Sequence, residues 1–454
     1  MAGTKISIQV QSSGSVIGDH AIMLSEKLVK QLKIHSNITL RFGTLKTPVT
    51  VIPVQNLDCL RMNETLAHKL GLHHNSQLGF MYKTATRTLS IGPLIGVLLT
   101  RAHPAQSDRL FGSVTTFCRE LVEASQSFGA FVYFFTASNI DPGSGQLEGW
   151  TYSGRWRKSH FPVPDVIYNR LTSRKAENRP SVQHFMREVK AQHGTLIFNE
   201  KYLNKSEVFD ALRHNTALTK YLPESHSFKN FLMLKSMSAK YSVVYLKPVA
   251  GSLGKGIIRV IRSGGGSYMC HLTSMTGTTK QSFSSLAALF STISGKLKQR
   301  HYQIQQGLQL IEIDGRPVDF RALVQRGGTG EWAVTSIVAR IAGNNHFVSN
   351  LARGGTLSKV REALEKSNLG SGMRKTVSSQ LRKAAVELAG GIADSIKGHF
   401  GELGLDLAVD TNGRVWLLEA NSKPSKNDGT PLIEGSVRPS VKAPIHYARF
   451  LTGF

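Results

Sequence analysis

A chain of 454 residues is too long for one ordinary hydrophobic core, so two to four domains are expected. Its 41% hydrophobic content, with 21 Phe and 11 Tyr, is that of a folded protein, and its net charge of +26 favours anionic partners: nucleotides, polyanions, acidic peptides or an anionic surface. Three scattered cysteines (Cys59, Cys118 and Cys270) exclude a disulfide framework and a Cys-rich zinc site, and fit buried thiols in a reducing compartment. The start, Met1 to Ile6, lacks a signal-peptide core, and no run of about 18 apolar residues spans a membrane. A soluble, cytoplasmic protein is the expectation.

Residues 1–92 read as a small β-rich module. Ile38–Phe42, Val49–Ile52, Gly79–Tyr82 and Thr88–Ile91 carry strand patterns, and Leu60–Gly71 a short helix that Asn63 can cap and Gly71 can end. His73 and His74 are adjacent and point apart on a strand, with no third ligand in view. Residues 93–203 read as an open α/β domain. A buried strand from Ile91 to Thr100, a helix from about Leu110 to Phe128 and a strand at Ala130–Phe135 make a βαβ unit and predict a parallel sheet. A hairpin near Tyr152–His160, a strand at Pro164–Tyr168, a helix at Ser181–Gln192 and a strand at Leu196–Phe198 follow.

From Asn204 the chemistry becomes dense. Lys205–Leu212 is helical, and the strand Val243–Pro248 carries Lys247 near its end. Gly251-Ser-Leu-Gly-Lys-Gly256 and the strand Ile257–Ile261 come next. Strand, glycine-rich turn, strand can lay backbone N–H groups on phosphates. It is neither a Walker A loop, which needs Ser or Thr after the Lys and a following helix, nor a Rossmann fingerprint. A helix over Ser282–Gln299, a strand over Tyr302–Leu310 and strands of the same sheet at Asp319–Val324 and Trp332–Ile341 are expected. Asn350–Gly355 reads as a loop, and Thr376–Phe400 as an amphipathic helix with Val377, Leu381, Ala385, Leu388, Ile392 and Ile396 inward.

The helix leads into Gly404–Asn421, two apolar strands joined at Asn412-Gly413. If those two residues form the loop, Asp406 lies opposite Glu419, with Asn421 on the same face. Facing carboxylates repel, so folding alone gives no reason to place them there. A divalent cation would reverse that repulsion, and carboxylate and amide oxygens suit Mg²⁺, with Mn²⁺ as the alternative. A three-residue loop would instead set Leu418 opposite Asp406.

In this order, the lysine-ending strand, glycine-rich flap, Asp-x-Arg strand, Asn-x-x-x-Gly-Gly loop and Leu-Leu-Glu-Ala-Asn ending resemble the ATP-grasp superfamily of carboxylate–amine ligases. The match covers about Asn204 to Phe454. With the N-terminal module and Leu89–Gly96 after it, the chain resembles endospore coat-associated ATP-grasp proteins of the YheC/YheD type. The resemblance implies an α/β (α+β) ATP-grasp fold over 204–454, preceded by a pre-ATP-grasp domain (93–203) and the N-terminal module. A flap subdomain would run over about 204–300 and a Mg-nucleotide subdomain over about 301–454. It further implies that Lys205 and Lys247 contact ATP phosphates, and that Gly251, Ser252, Gly254, Lys255 and Gly256 close over the triphosphate. Gln305, Gln306, Gly307 and Leu308 would form the adenine hinge, Asp319 would face the ribose, and Ser349 and Asn350 would contact nucleotide or metal-bound phosphate. Asp406, Glu419 and Asn421 would ligate Mg²⁺. Arg340 would steady an acyl phosphate, with Arg353 second. Gln306 stands where such ligases usually carry Glu, and Ser425 where they often carry Gly. The implied activity is ATP- and Mg²⁺-dependent ligation of an acidic carboxylate to an amine, with spore coat proteins as partners. The other reading is a structural coat protein that keeps the fold without turnover. Nucleic-acid binding rests on charge alone, without a motif.

Overall fold

The structure is a computed structural model and describes residues 4–12, 18–73, 75–140, 145–249, 256–274, 277–343, 354–426 and 437–454. Seven strands close an N-terminal barrel: β1 (Thr4–Gln11), β2 (Ala21–Ser25), β3 (Asn37–Phe42), β4 (Leu45–Val54), β5 (Cys59–Asn63), β6 (Ser76–Lys83) and β7 (Thr88–Gly92). Their spatial order is β1-β5-β2-β4-β3-β7-β6. Period-two alternation turns Ile38, Leu40 and Phe42 inward. Two short helices, α1 (Glu26–Leu32) and α2 (Glu64–Leu70), interrupt the strands. The helix expected from Leu60 begins later, because Leu60–Asn63 pair with β1 and β2. Asn63 caps α2 by accepting a hydrogen bond from the Leu66 N–H at 2.9 Å, and Gly71 ends it at φ +76°.

The run expected as one strand from Ile91 to Thr100 divides at Gly92-Pro93. The barrel ends there, and the second sheet begins with β8 (Leu94–Leu99). β9 (Phe131–Thr136), β10 (Gln146–Ser153), β11 (Arg155–Pro162), β12 (Val166–Asn169) and β13 (Leu196–Phe198) complete it in the order β11-β10-β9-β8-β12-β13. β9, β8, β12 and β13 are parallel, as the βαβ pattern requires, and the β10–β11 hairpin adds an antiparallel edge. Helices α3 (Thr115–Phe128), α4 (Arg174–Glu177) and α5 (Pro180–His193) connect these strands. One face packs with the barrel interior into a continuous apolar cluster.

After α6 (Lys205–Arg213) a third, antiparallel sheet runs β14-β19-β15-β16-β17-β18. Its strands are β14 (Ser225–Ser227), β15 (Val243–Pro248), β16 (Ile258–Arg262), β17 (Tyr268–Thr273), β18 (Thr278–Phe283) and β19 (Tyr302–Gln306). Helices α7 (Phe231–Lys240) and α8 (Leu286–Lys298) cover it. The helix expected from Ser282 starts at Leu286, since Thr278–Phe283 pair with β17 and Ser285 caps α8.

The fourth sheet holds β20 (Glu312–Ile313), β21 (Arg316–Arg326), β22 (Trp332–Ile341), β23 (Thr356–Lys359), β24 (Glu402–Val409) and β25 (Val415–Asn421). Its order is β23-β22-β21-β24-β25, with β20 on β21. The expectation that Tyr302–Leu310 shares a sheet with β21 and β22 is therefore corrected. β19 ends at Gln306; Gly307 still passes so close to Val243 that an added Cβ would meet it at 2.6 Å, and the chain then crosses to the fourth sheet. Helix α9 (Val360–Lys366) and the long α10 (Arg374–Ser395) pack on this sheet, with Val377, Leu381, Ala385, Leu388 and Ile392 buried at helical spacing. The last helix, α11 (Pro439–Thr452), returns to the second sheet and packs against α3.

Candidate active site

The β24–β25 hairpin turns through Thr411-Asn412-Gly413, with Asp410 and Arg414 closing it. The Asp410 N–H donates to the Arg414 carbonyl at 3.0 Å, and Gly413 takes φ +80°. The two-residue loop expected from Asn412-Gly413 is thus one residue short. From this turn the ladder runs Val409–Val415, Ala408–Trp416 and Leu407–Leu417, a register that would carry Leu418 opposite Asp406. A β-bulge after Leu417 absorbs Leu418, and Asp406 faces Glu419 after all. Without the bulge, Glu419 would point into the core beside Leu417.

Each carboxylate is met by cations. Asp406, 8% exposed, accepts from Arg321 through both oxygens, with Arg321 Nη2 to Oδ2 at 3.1 Å. Arg340 Nη2 lies 3.1 Å from the same Oδ2. Arg340 also grips Asp319 with two hydrogen bonds, Nε to Oδ1 at 2.6 Å and Nη2 to Oδ2 at 2.9 Å. This follows from register: Asp319 pairs with Arg340 across β21–β22, and Arg321 with Asp406 across β21–β24. Burial pushes the Asp319 carboxyl up to about 6, against the pull of Arg340 and with help from the Asp406 charge. Burial also disfavours ionised Asp406, but Arg321 and Arg340 overcome it and hold its carboxyl below the usual range.

On the other side of the hairpin, Lys205 at the start of α6 reaches Glu419, Nζ to Oε2 at 3.2 Å. Lys247 on β15 donates to the Gln305 side chain, which in turn donates to Ser225 Oγ at 2.8 Å. Burial and the neighbouring Lys205 charge lower the Lys247 ammonium to about 8, although Glu419 and Asp406 pull it back up. The β19 backbone is partly engaged: the Gln306 N–H donates to the Glu224 carbonyl and the Gly307 N–H to the Val243 carbonyl, both at 2.8 Å.

Lysines from α6 and β15, arginines from β21 and β22 and the facing acids of β24 and β25 therefore meet around one hairpin end. A YheC/D-like ATP-grasp family model matches residues 194–451. The endospore coat-associated protein YheD of Bacillus subtilis is 31% identical over 367 residues, covering 81% of this chain and 80% of that protein. YheC of the same organism is 24% identical over 315 residues, covering 68% and 84%. This chain belongs to the YheC/D-like ATP-grasp family. Among solved structures, D-alanyl-alanine synthetase A from Vibrio cholerae is similar at 11% identity and a TM-score of 0.47, covering 79% of this chain and 98% of that one.

Within this YheC/D-like site, Gly251, Ser252, Gly254, Lys255, Ser349, Asn350 and Arg353 lie outside the described residues. Gly256 lies just before β16, at φ +76°. Among the described residues no three His, Cys, Asp or Glu side chains cluster as a metal site. Asp406 and Glu419 supply two facing carboxylates and Asn421 an amide two residues on, a hard-oxygen set suited to Mg²⁺. A cation bound there would have to displace Arg321 and Arg340 from Asp406, and Lys205 from Glu419.

Two functional features escaped the sequence reading. Arg321 is the Arg of the Asp-x-Arg strand, but the motif assigns it no role; standing two residues from Asp319 on a strand, it lies on the same face. The second is a buried lattice joining the fourth sheet to the second. Glu402 accepts from Arg170 Nη1 at 2.7 Å, Tyr168 Oη at 2.6 Å, Gln325 Nε2 at 2.9 Å, and Lys426. Arg170 Nη2 also donates to the Pro424 carbonyl at 2.7 Å, Asn199 to the Ser422 carbonyl at 2.5 Å, and Lys423 to Glu177. The segment 422–426, directly after Asn421, is thereby clamped by the second sheet. The contacts made by Tyr168, Arg170, Glu177 and Asn199 each span more than 200 residues of chain, and no local spacing reveals them.

Proposed function

We propose that this chain is an ATP- and Mg²⁺-dependent carboxylate–amine ligase working through an acyl phosphate, on an acidic peptide or small acid. The observation that carries the reading is the pair Asp406–Glu419, facing across one ladder with Lys205, Lys247, Arg321 and Arg340 around it. Lys205 and Lys247 take the ATP phosphates, the 251–256 segment covers them, and the 305–308 run holds adenine. With the Gln306 and Gly307 N–H groups occupied by protein carbonyls, Leu308 is the hinge residue whose N–H is left to meet the base. Asp319 faces the ribose side while it orients Arg340.

Asp406, Glu419 and Asn421 would hold Mg²⁺ or Mn²⁺, which when bound neutralises phosphate charge. A substrate carboxylate oxygen attacks the γ-phosphorus, and the β–γ bridging oxygen leaves with ADP. The amine then attacks the acyl carbon, phosphate leaves with the C–O electron pair, and the amine gives up its proton. Negative charge gathers in both steps, and Arg340, with Arg353 as second candidate, stabilises it. The net charge of +26 suits acidic substrates.

A second reading is a coat-associated structural protein that retains the fold and ATP binding without turnover, favoured by the coat association of the two Bacillus relatives. Spore coat proteins would then be the partners. An ADP-release screen across acidic peptides and amino acids separates the two. The ligase reading expects ADP that depends on a carboxylate and is abolished in Glu419→Ala. Turnover that survives this substitution removes the metal assignment, and ATP binding without turnover supports the structural reading.

A further inference from the structure

The third sheet carries an unusual charge distribution. From Ser225 to Ile311 the chain contains no Asp or Glu, against eleven Lys and Arg. On the surface of this unit, between α7, α8 and the start of β19, opens a cavity of about 860 Å³. This size is that of a ligand site rather than a packing defect. Its walls are apolar, with Phe228, Phe231, Phe290 and Leu297 half-buried and Tyr302 buried. Its rim is cationic, with Lys229, Lys298, Arg300 and His301 all exposed. No acidic residue lines it. None of the lining residues belongs to the candidate active site.

We propose that this groove docks an acidic polypeptide segment carrying an apolar anchor residue. The anchor fills the phenylalanine-lined floor, and flanking carboxylates meet the basic rim. Phe231 and Phe290 pack on each other, centroids 5.1 Å apart and tilted by 45°, inside a concave wall. They therefore do not offer the open flat faces on which bases stack, which favours a peptide over a nucleic acid. Lys229 and Asn230 line it from the start of α7 and Lys298 to His301 from the end of α8 and the approach to β19, so basic residues of two segments edge the apolar floor. An all-acidic chain satisfies only the rim, and an apolar chain only the floor. The proposal concerns binding away from the hairpin and does not depend on the ligase reading.

The test is fluorescence anisotropy on the full chain without nucleotide. The probe is a labelled Glu-rich dodecapeptide with two leucines, compared with an all-Glu dodecapeptide, a twelve-nucleotide single strand and anionic lipid vesicles. Lys298→Glu/Arg300→Glu should weaken peptide binding about tenfold or more, the size of two rim charge contacts. Ser294→Trp, which fills the groove without changing charge, should weaken it similarly. Both should leave the melting temperature and ATP affinity unchanged. Arg382→Glu/Lys383→Glu, exposed on α10, reverses the same charge elsewhere and should change binding less than about twofold. Equal loss in that control, equal binding of the all-Glu peptide, insensitivity to Ser294→Trp, or tighter binding of the oligonucleotide or vesicles overturns the proposal.

Discussion

At the residue scale, the site is built from groups held in uncomfortable states. Arg340 bridges two buried carboxylates, so Arg340→Ala strands Asp319 and leaves Asp406 to Arg321 alone. It should cost about 3–5 kcal/mol in denaturant unfolding. In the proposed ligase it should also lower kcat about a hundredfold or more. Arg340→Lys keeps the charge but loses the fork, and should recover little of the activity. Lys247 titrates at about 8, below the ordinary lysine value, and only its charged form attracts phosphate. ATP affinity, measured by calorimetry, should therefore fall as pH rises through about 8, and Lys247→Arg should flatten that dependence. The residues that make this cluster were partly legible. Asp406, Glu419, Asp319, Arg321 and Lys247 stand in motifs, and Arg340 is singled out by the family resemblance. What spacing does not convey is that Arg321 occupies the oxygens of Asp406, because this depends on which strand lies beside β24.

At the element scale, the hairpin shows how a correct pairing can be reached by a wrong route. Asn412-Gly413 announces a turn, but Asp410 closes it with three hydrogen bonds, accepting from the Asn412 and Arg414 N–H groups and from the Trp416 indole. The loop is then three residues long, and the bulge at Leu418 restores Glu419 to the face of Asp406. Deleting Leu418 should leave that facing intact, since Glu419 would then follow Leu417 directly. Moving Glu419 by a neighbouring insertion should remove it from the site. Helix α10 was legible because its apolar period is long and regular. Leu388 is fully buried against the fourth sheet, so Leu388→Ala should cost about 2–5 kcal/mol in denaturant unfolding. Short pieces were harder: Leu60–Asn63 of β5 and the last two residues of β18 were read as helix, because five or six residues fit either period until a partner strand decides.

At the scale of the whole molecule, the second sheet holds the segment that follows the hairpin. Glu402 is the hub, compensating Arg170 and Lys426 in a buried interface. Glu402→Ala leaves both cations buried and should cost about 3–5 kcal/mol, while Glu402→Gln should cost less because it keeps hydrogen-bond acceptors. This lattice was invisible in the sequence, since Arg170 and Lys426 have no motif and meet only when two sheets pack.

The central claim is that these residues activate a carboxylate with ATP. It is tested most directly by incubating the protein with ATP, Mg²⁺, hydroxylamine and a panel of acidic peptides whose carboxylates carry ¹⁸O. The account predicts carboxylate-dependent ADP, one ¹⁸O in each released phosphate and a peptide hydroxamate, all lost in Glu419→Ala. ADP release with unlabelled phosphate, or no ADP with any carboxylate while ATP still binds, would contradict it.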